Sequence, residues 1–236
     1  YAVLSHRWSD DELSLQDMEQ SHRRTESHGW WKLSMFCKQA AEQGIRFAWI
    51  DTCCIDKTSS AELDESIRSM FRWYQNSTTC IIHLAQTTSL EHVGGDEWFR
   101  RGWTLQELLA PNVIQLQGAA WQTLAPAIDK LAYPYEAATG PLSHYPYSLY
   151  YICEAVGMSV ESFLGFSPSP TCVDQRMVWA ANRDVTRGED TAYSLMGIFD
   201  VSISTAYGEG AERAFCRLVE AIMMAGDLSV LNWSGP

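Results

Sequence analysis

Arg46-Phe47-Ala48-Trp49-Ile50 and Thr79-Cys80-Ile81-Ile82-His83-Leu84 bracket a segment of different periodicity, Ser59 to Tyr74. The outer two are short apolar runs, and after Arg46 the first is apolar at both parities, as expected of a central strand covered on both faces. Between them Leu63, Ile67, Met70, Phe71 and Tyr74 trace one stripe at helical spacing. Ser59 stands three residues before Glu62, the pattern of a helix-starting capping box, and Asp64 and Arg68 form a favourable pair four residues apart on the opposite face. A strand, a crossover helix and a strand of these lengths predict a right-handed βαβ unit and a parallel sheet. Ligands of open parallel sheets bind beyond the carboxyl ends of the strands. Three segments meet that edge: Ser5 to Asp11, Asp51 to Lys57, and Ala85 to Asp96.

Outward from this unit, Ala2 to Leu4 reads as a buried strand opening into a long polar loop, and Trp30, Leu33, Cys37 and Ala40 as a helix that Gly44 terminates. Downstream, Trp98 to Leu109 reads as one helix stopped by Pro111, and Asn112 to Leu116 as a fourth strand. Beyond residue 117 the pattern turns helical and irregular, with proline-rich segments at Pro134-Tyr135 and Pro168-Ser169-Pro170. Helices are expected around Glu189 to Phe199 and Glu209 to Ala225, and a last strand at Leu228 to Trp233. The predicted class is therefore α/β: a flavodoxin-like parallel-sheet core, residues 1–117, flanked by helices, with a mostly helical C-terminal part, residues 118–236, packed on it.

The chain has 236 residues, of which 46% are hydrophobic and 19% charged, so a substantial core is expected throughout. Its formal charge of -12 repels nucleic acid duplexes and anionic lipid, so any anionic ligand needs a local positive pocket. No apolar run is long enough to span a bilayer, and seven cysteines without framework spacing fit reduced thiols in the cytoplasm. The adjacent Cys53-Cys54 pair lacks the spacer that lets two thiolates share one zinc, so no metal site is predicted. The chain opens at Tyr1, inside a strand, and reads as a domain of something longer.

Glu107 is the foremost candidate for chemistry. On a continuous helix it shares a face with Arg100, Trp103 and Thr104, and it has no basic residue three or four positions away. A competing reading makes Thr104 an N-cap and Glu107 its capping-box partner. Ser5, His6, Arg7 and Trp8, with Asp51, bring hydroxyl, cation, aromatic face and carboxylate to the ligand edge. His6 or His83 alone is more often structural than a base, and Cys54 would need an oriented histidine to serve as nucleophile. Arg176, Arg183 and Arg187, before Glu189-Asp190, read first as an ion-pair network docking the C-terminal helices, with phosphate binding as the subordinate alternative.

Tyr-Ala-Val-Leu-Ser-His-Arg-Trp (1–8), Trp-Ile-Asp-Thr-Cys-Cys-Ile-Asp-Lys (49–57) and Arg-Gly-Trp-Thr-Leu-Gln-Glu-Leu (101–108) resemble, in order, the three sequence blocks of fungal HET (heterokaryon incompatibility) domains. Residues 176–180, 187–190, 193–199 and 207–210 resemble the continuation found in incompatibility proteins. This resemblance implies a non-self recognition effector that triggers programmed cell death, commonly fused to sensor or oligomerising domains and self-associating on activation. HET domains are in turn distantly similar to TIR domains. Trp103-Thr104-Leu105-Gln106-Glu107 resembles the plant TIR block whose glutamate is catalytic, with Thr104 in place of cysteine. The implied activity is hydrolysis of NAD or a related nucleotide, a substrate rather than a cofactor. Glu107 would face the ribose, Trp8 or Trp103 would hold the rings, and Arg7 or Arg101 would meet the pyrophosphate. The alternative is a non-enzymatic TIR-like module that signals by assembling partners. An open pocket reached by Glu107, Asp51 and the Ser5 loop favours the enzyme; a glutamate folded onto its own helix start favours the adaptor.

Overall fold

The structure, a computed structural model, describes residues 1–19, 26–133 and 145–226. Strand β1 (Ala2–His6) is buried along its whole length and leads into a short helix, α1 (Leu15–Glu19). Helix α2 (His28–Glu42) follows, then β2 (Ala48–Trp49), α3 (Ser60–Gln75) and β3 (Thr79–His83). Helix α4 (Trp103–Leu109), β4 (Val113–Gln117) and β5 (Ile128–Asp129) complete the sheet region. The remainder is helical: α5 (Tyr147–Val156), α6 (Val160–Leu164), α7 (Val173–Ala180), α8 (Asp190–Tyr193) and α9 (Ala211–Met224).

The sheet runs in the order β2-β1-β3-β4-β5, parallel except for β5. This is the order of flavodoxin-type doubly wound sheets, whose switch point lies between β1 and β3. Successive side chains of β1 part to opposite faces. Ala2 and Leu4 join Phe36 and Ala40 of α2, whereas Val3 joins the larger cluster built with α3, α4 and the C-terminal helices. Buried aliphatic and aromatic side chains such as Ile67, Phe71 and Leu105 each contribute roughly 1.5–3 kcal/mol.

Within the crossover unit, α3 and β3 form where the sequence predicts them. Ser59 Oγ accepts from the Glu62 amide, Arg68 pairs with Asp64 at 2.5 Å, and α3 buries Ile67, Met70, Phe71 and Tyr74. Residues 46–50, however, do not form a central strand. Only Ala48 and Trp49 are extended, at the sheet edge, and Phe47 is 71% exposed. Apolar content alone does not distinguish an edge from a centre. On α2 the expected stripe is turned: Lys32, Phe36 and Ala40 are buried and Cys37 is exposed. Lys32 tolerates burial because its ammonium donates to the Arg7 carbonyl at 3.1 Å and pairs with Glu12.

Two expected helices are shorter than their patterns. Residues 98–109 are not one helix: a 3-10 turn covers Glu97–Arg100, and α4 begins only at Trp103. The break is tertiary. Asp184 donates to the Arg100 carbonyl at 2.5 Å, and its own carbonyl accepts from Gly102 at 2.8 Å, so a strand-like bridge from the C-terminal half interrupts the helix. A Cβ at Gly102 would lie 2.5 Å from Val185 Cγ1, so the crossing needs glycine. Of residues 189–199 only Asp190–Tyr193 is helical, and the rest is turns. By contrast the expected helix at Glu209 to Ala225 forms as α9 and packs Ala214, Leu218 and Ile222 inward. Pro134-Tyr135 and the expected strand at 228–233 lie outside the described residues. No described helix is long and apolar enough to cross a membrane.

Candidate functional site

Beyond the carboxyl ends of β1 and β2 lies a cleft of about 780 Å³. The loop after β1 supplies Arg7, Trp8, Ser9 and Asp10, and the turn after β2 supplies Asp51, Ile55 and Lys57. Met70 of α3 and Trp103 and Glu107 of α4 form further walls. The C-terminal half closes the cleft with Asp184 to Arg187, Asp190 and Tyr207. Five cationic side chains (Arg7, Lys57, Arg100, Arg101, Arg187) face six carboxyl groups (Asp10, Asp51, Glu97, Glu107, Asp184, Asp190), so the cleft is nearly balanced on a protein of net charge -12. That local balance weakens, at the cleft, the repulsion the overall field sets against an anionic ligand.

Glu107 is 6% exposed and forms part of the lining. It does not fold onto its own helix start: α4 has Gly102 at its N-cap and no side-chain cap. Instead Ser5 Oγ donates to Glu107 Oε2 at 2.5 Å and accepts from the Trp98 indole at 2.9 Å. Indole N–H is donor only, so it occupies the serine's acceptor side and leaves the hydroxyl proton for the carboxylate. Burial raises the Glu107 pKa to about 7, and the charge of Asp51 adds to the rise; the Ser5 hydrogen bond and Arg101 oppose it. Lys130, itself buried, donates to the carbonyls of Leu108 and Leu109 at 2.9 and 2.8 Å. It caps the last turn of the helix that carries Glu107, and burial pulls its own pKa down to about 7.

At the mouth, the Trp8 indole donates to Asp51 Oδ2 at 2.9 Å, and Lys57 Nζ lies 4.0 Å from the Trp8 ring centroid. Arg101 stands on the same ring at 5.6 Å. Arg7 is ion-paired with Glu97. Deeper in, Asp190 accepts from Tyr207 at 2.8 Å and from the Trp103 indole, while burial raises its pKa. Arg187 lies over the Tyr207 ring at 4.3 Å.

Of the residues predicted for the site, Arg7, Trp8, Asp51, Arg101, Trp103 and Glu107 therefore converge. Ser5 lies behind Glu107 as its hydrogen-bond partner and is fully buried. His6 is directed elsewhere. One position along β1, it faces the α2 side, where it is 4% exposed and 3.6 Å from Glu12. The Ala85 to Asp96 segment also misses the cleft, because Asp96 turns back to accept from Gln86, Thr87 and Trp98.

Among the described residues Arg176 and Arg183 bind carbonyls rather than carboxylates, and of the three arginines only Arg187 acts by its charge on Glu189 and Asp190. Arg176 donates to the carbonyls of Ile198 and Ser167, and Arg183 to those of Trp179 and Arg101. Glu189 instead accepts from the amides of Gly208 and Gly210 at 2.8 and 3.1 Å, fastening the 187–190 turn to the start of α9. Lys57, at the end of the predicted Asp51 to Lys57 edge segment, lines the cleft with Asp51, whereas Arg187, Asp190 and Tyr207 were missed as cleft residues. The motifs at 187–190 and 207–210 were visible, but their proximity to α4 has no local signal. Among the described residues no histidine acts on Cys54, whose neighbours include Cys53, Ile50, Asp51 and Cys37.

Sheet order and cleft define an α/β domain with a ligand-sized crevice at the carboxyl edge of its strands. Residues 1–94 match the family model described as heterokaryon incompatibility protein (HET). The chain is also 37% identical over 235 residues to vegetative incompatibility protein HET-E-1 of Podospora anserina, covering 94% of this chain and 16% of that protein. Residues 1–94 thus carry the HET match, and the chain spans about a sixth of the length of the relative it resembles. No solved structure matches it.

Proposed function

We propose that this chain is the effector domain of a cytoplasmic heterokaryon incompatibility protein, and that it triggers cell death by hydrolysing the N-glycosidic bond of NAD or a related nucleotide at Glu107. The observation that carries the reading is the placement of Glu107: a buried carboxyl lining a 780 Å³ cleft, oriented from behind by Ser5 and Trp98 and free of any helix-capping role. The family and the incompatibility protein it resembles supply the biological setting. That relative is far longer than this chain, which suits a domain controlled by others that bring copies together.

In this reaction the ribose C1′–N bond breaks, and its electron pair passes to the pyridinium nitrogen, so nicotinamide leaves neutral without a general acid. Water adds to C1′ and releases a proton. The Glu107 carboxylate stabilises the positive charge that develops on the ribose. Trp8 and Trp103 bring indole rings to the cleft, and the pyrophosphate is assigned to Arg101 and Lys57, which would leave the Trp8 ring to meet it, since Arg7 is engaged by Glu97. Charge stabilisation needs the ionised carboxyl, and the pKa of the empty site is about 7. On this reading kcat/KM rises with pH to a plateau above a midpoint near 7.

The test is nicotinamide release from NAD by the domain fused to an oligomerising partner, with wild type against Glu107→Gln. Release lost in the variant supports the proposal. No release from wild type, with cell killing undiminished by Glu107→Gln, assigns the domain to assembly of partners instead.

A further inference from the structure

The turn after β2 carries a feature that the Glu107 chemistry does not use. Cys53 and Cys54 are adjacent and their thiols hydrogen-bond each other. Cys53 is buried in the cluster with Phe36 and Ile50, whereas Cys54 is exposed. The Cys54 sulfur accepts from the Ile50 amide at 3.5 Å, and the Cys54 amide returns a bond to the Ile50 carbonyl at 2.9 Å, so a closed turn holds the sulfur in place. A thiolate at Cys54 thus meets two donors, the Ile50 amide and the Cys53 thiol. The Cys53 thiol, and then the Ile50 amide, hold the Cys54 pKa below the ordinary thiol value against burial and the charge of Asp51, and the same hydrogen bond with burial drives Cys53 the other way. An exposed thiolate beside a buried, protonated thiol is the arrangement of a reactive cysteine with its resolving partner.

We propose that Cys54 is an oxidisable thiol resolved by Cys53, a modification site on the turn that presents Asp51 to the cleft. The Cys54 thiolate attacks the terminal oxygen of a hydroperoxide. The O–O bond breaks, an S–O bond forms, and one proton from solvent completes the alcohol or water that leaves. Sulfur is oxidised by two electrons to the sulfenic acid and the peroxide is reduced. The Cys53 sulfur then attacks the Cys54 sulfur, the S–O bond breaks, and hydroxide leaves with the Cys53 proton as water. Because Asp51 holds Trp8 from this same turn, closing the S–S bond acts at the mouth of the cleft.

The protein carries its own controls, since Cys172 and Cys216 are also exposed. Iodoacetamide at pH 7 is expected to alkylate Cys54 several-fold faster than either, with a pH midpoint below the ordinary thiol value of about 8.5. After one equivalent of hydrogen peroxide, peptide mapping is expected to find a Cys53–Cys54 link in the wild type. In Cys53→Ser, dimedone is expected to trap the sulfenic acid at Cys54. Alkylation of Cys54 no faster than of Cys172 and Cys216 overturns the proposal, and it needs no variant to fold. A link from Cys54 to Cys37, the exposed thiol on α2, overturns the resolving role of Cys53.

Discussion

Ser59 and Thr104 each stand three residues before a glutamate, at or near the start of a helix, yet the two regions use the same spacing differently. At α3, Ser59 accepts from the Glu62 amide, and the exposed Glu62 carboxylate accepts from the Asp56 amide at 2.9 Å. Everything in that start is local. At α4, Thr104 lies inside the helix and donates backwards, to the Trp98 carbonyl at 2.6 Å with the Arg101 carbonyl 2.9 Å away, and Arg183 donates to it at 3.0 Å. Glu107 then reaches across 102 positions of sequence to Ser5. A capping box satisfies amides that would otherwise face water or nothing. Where a distant segment supplies those partners, the glutamate is released for other work.

Substitutions can break this contrast in graded steps. The largest effect is expected from Glu107→Gln on nicotinamide release, about 10²- to 10³-fold, the usual cost of removing one transition-state stabiliser. Equal rates in both proteins would return Glu107 to a structural role. The same variant sharpens the contrast through stability. With its pKa raised from 4.5 to about 7, the folded protein holds a proton that the unfolded chain has released, so stability falls as pH climbs through that window. By pH 8 the loss reaches on the order of 3 kcal/mol, and urea melts of Glu107→Gln at pH 5 and pH 8 should differ less than those of wild type by that amount.

Thr104→Ala comes next, at about 2 kcal/mol by denaturant melts, because it removes buried hydrogen bonds that join the 98–101 turn to Arg183. Ser59→Ala is expected to cost about 1 kcal/mol, the worth of an N-cap, with no change at the cleft. Glu62→Gln should fall below about 0.5 kcal/mol, since the amide oxygen still accepts from Asp56 at an exposed site. If Thr104→Ala cost no more than Ser59→Ala, the two starts would be alike after all.

A second pair, Ser5 and His6, marks how far the candidate site was legible. Both were read onto the ligand edge, and the period of two along β1 sends one behind Glu107 and the other to Glu12. Periodicity says that neighbours part, but not which face holds the cleft. Arg176 and Arg183 show the same gap: their charge suggested carboxylates, and folding gave them carbonyls. A guanidinium's many donors satisfy loop carbonyls as readily as they pair with anions, and only the path of the loops decides between them.

What the sequence determined by itself is whatever rests on neighbours in the chain. Helix α3 with its Ser59 cap and its stripe, β3, helix α9 and the glycine after α2 all formed where their spacing places them. The three blocks that mark the HET family are likewise stretches of contiguous residues. The tertiary structure alone decided that residues 46–50 lie at an edge, that residues 98–109 break at Gly102, and that segments from both halves of the chain meet around Glu107. The reason is physical. Helix caps and amphipathic stripes are satisfied within a few residues. An edge, a break or a cleft depends on which distant backbone arrives to take up the remaining hydrogen bonds.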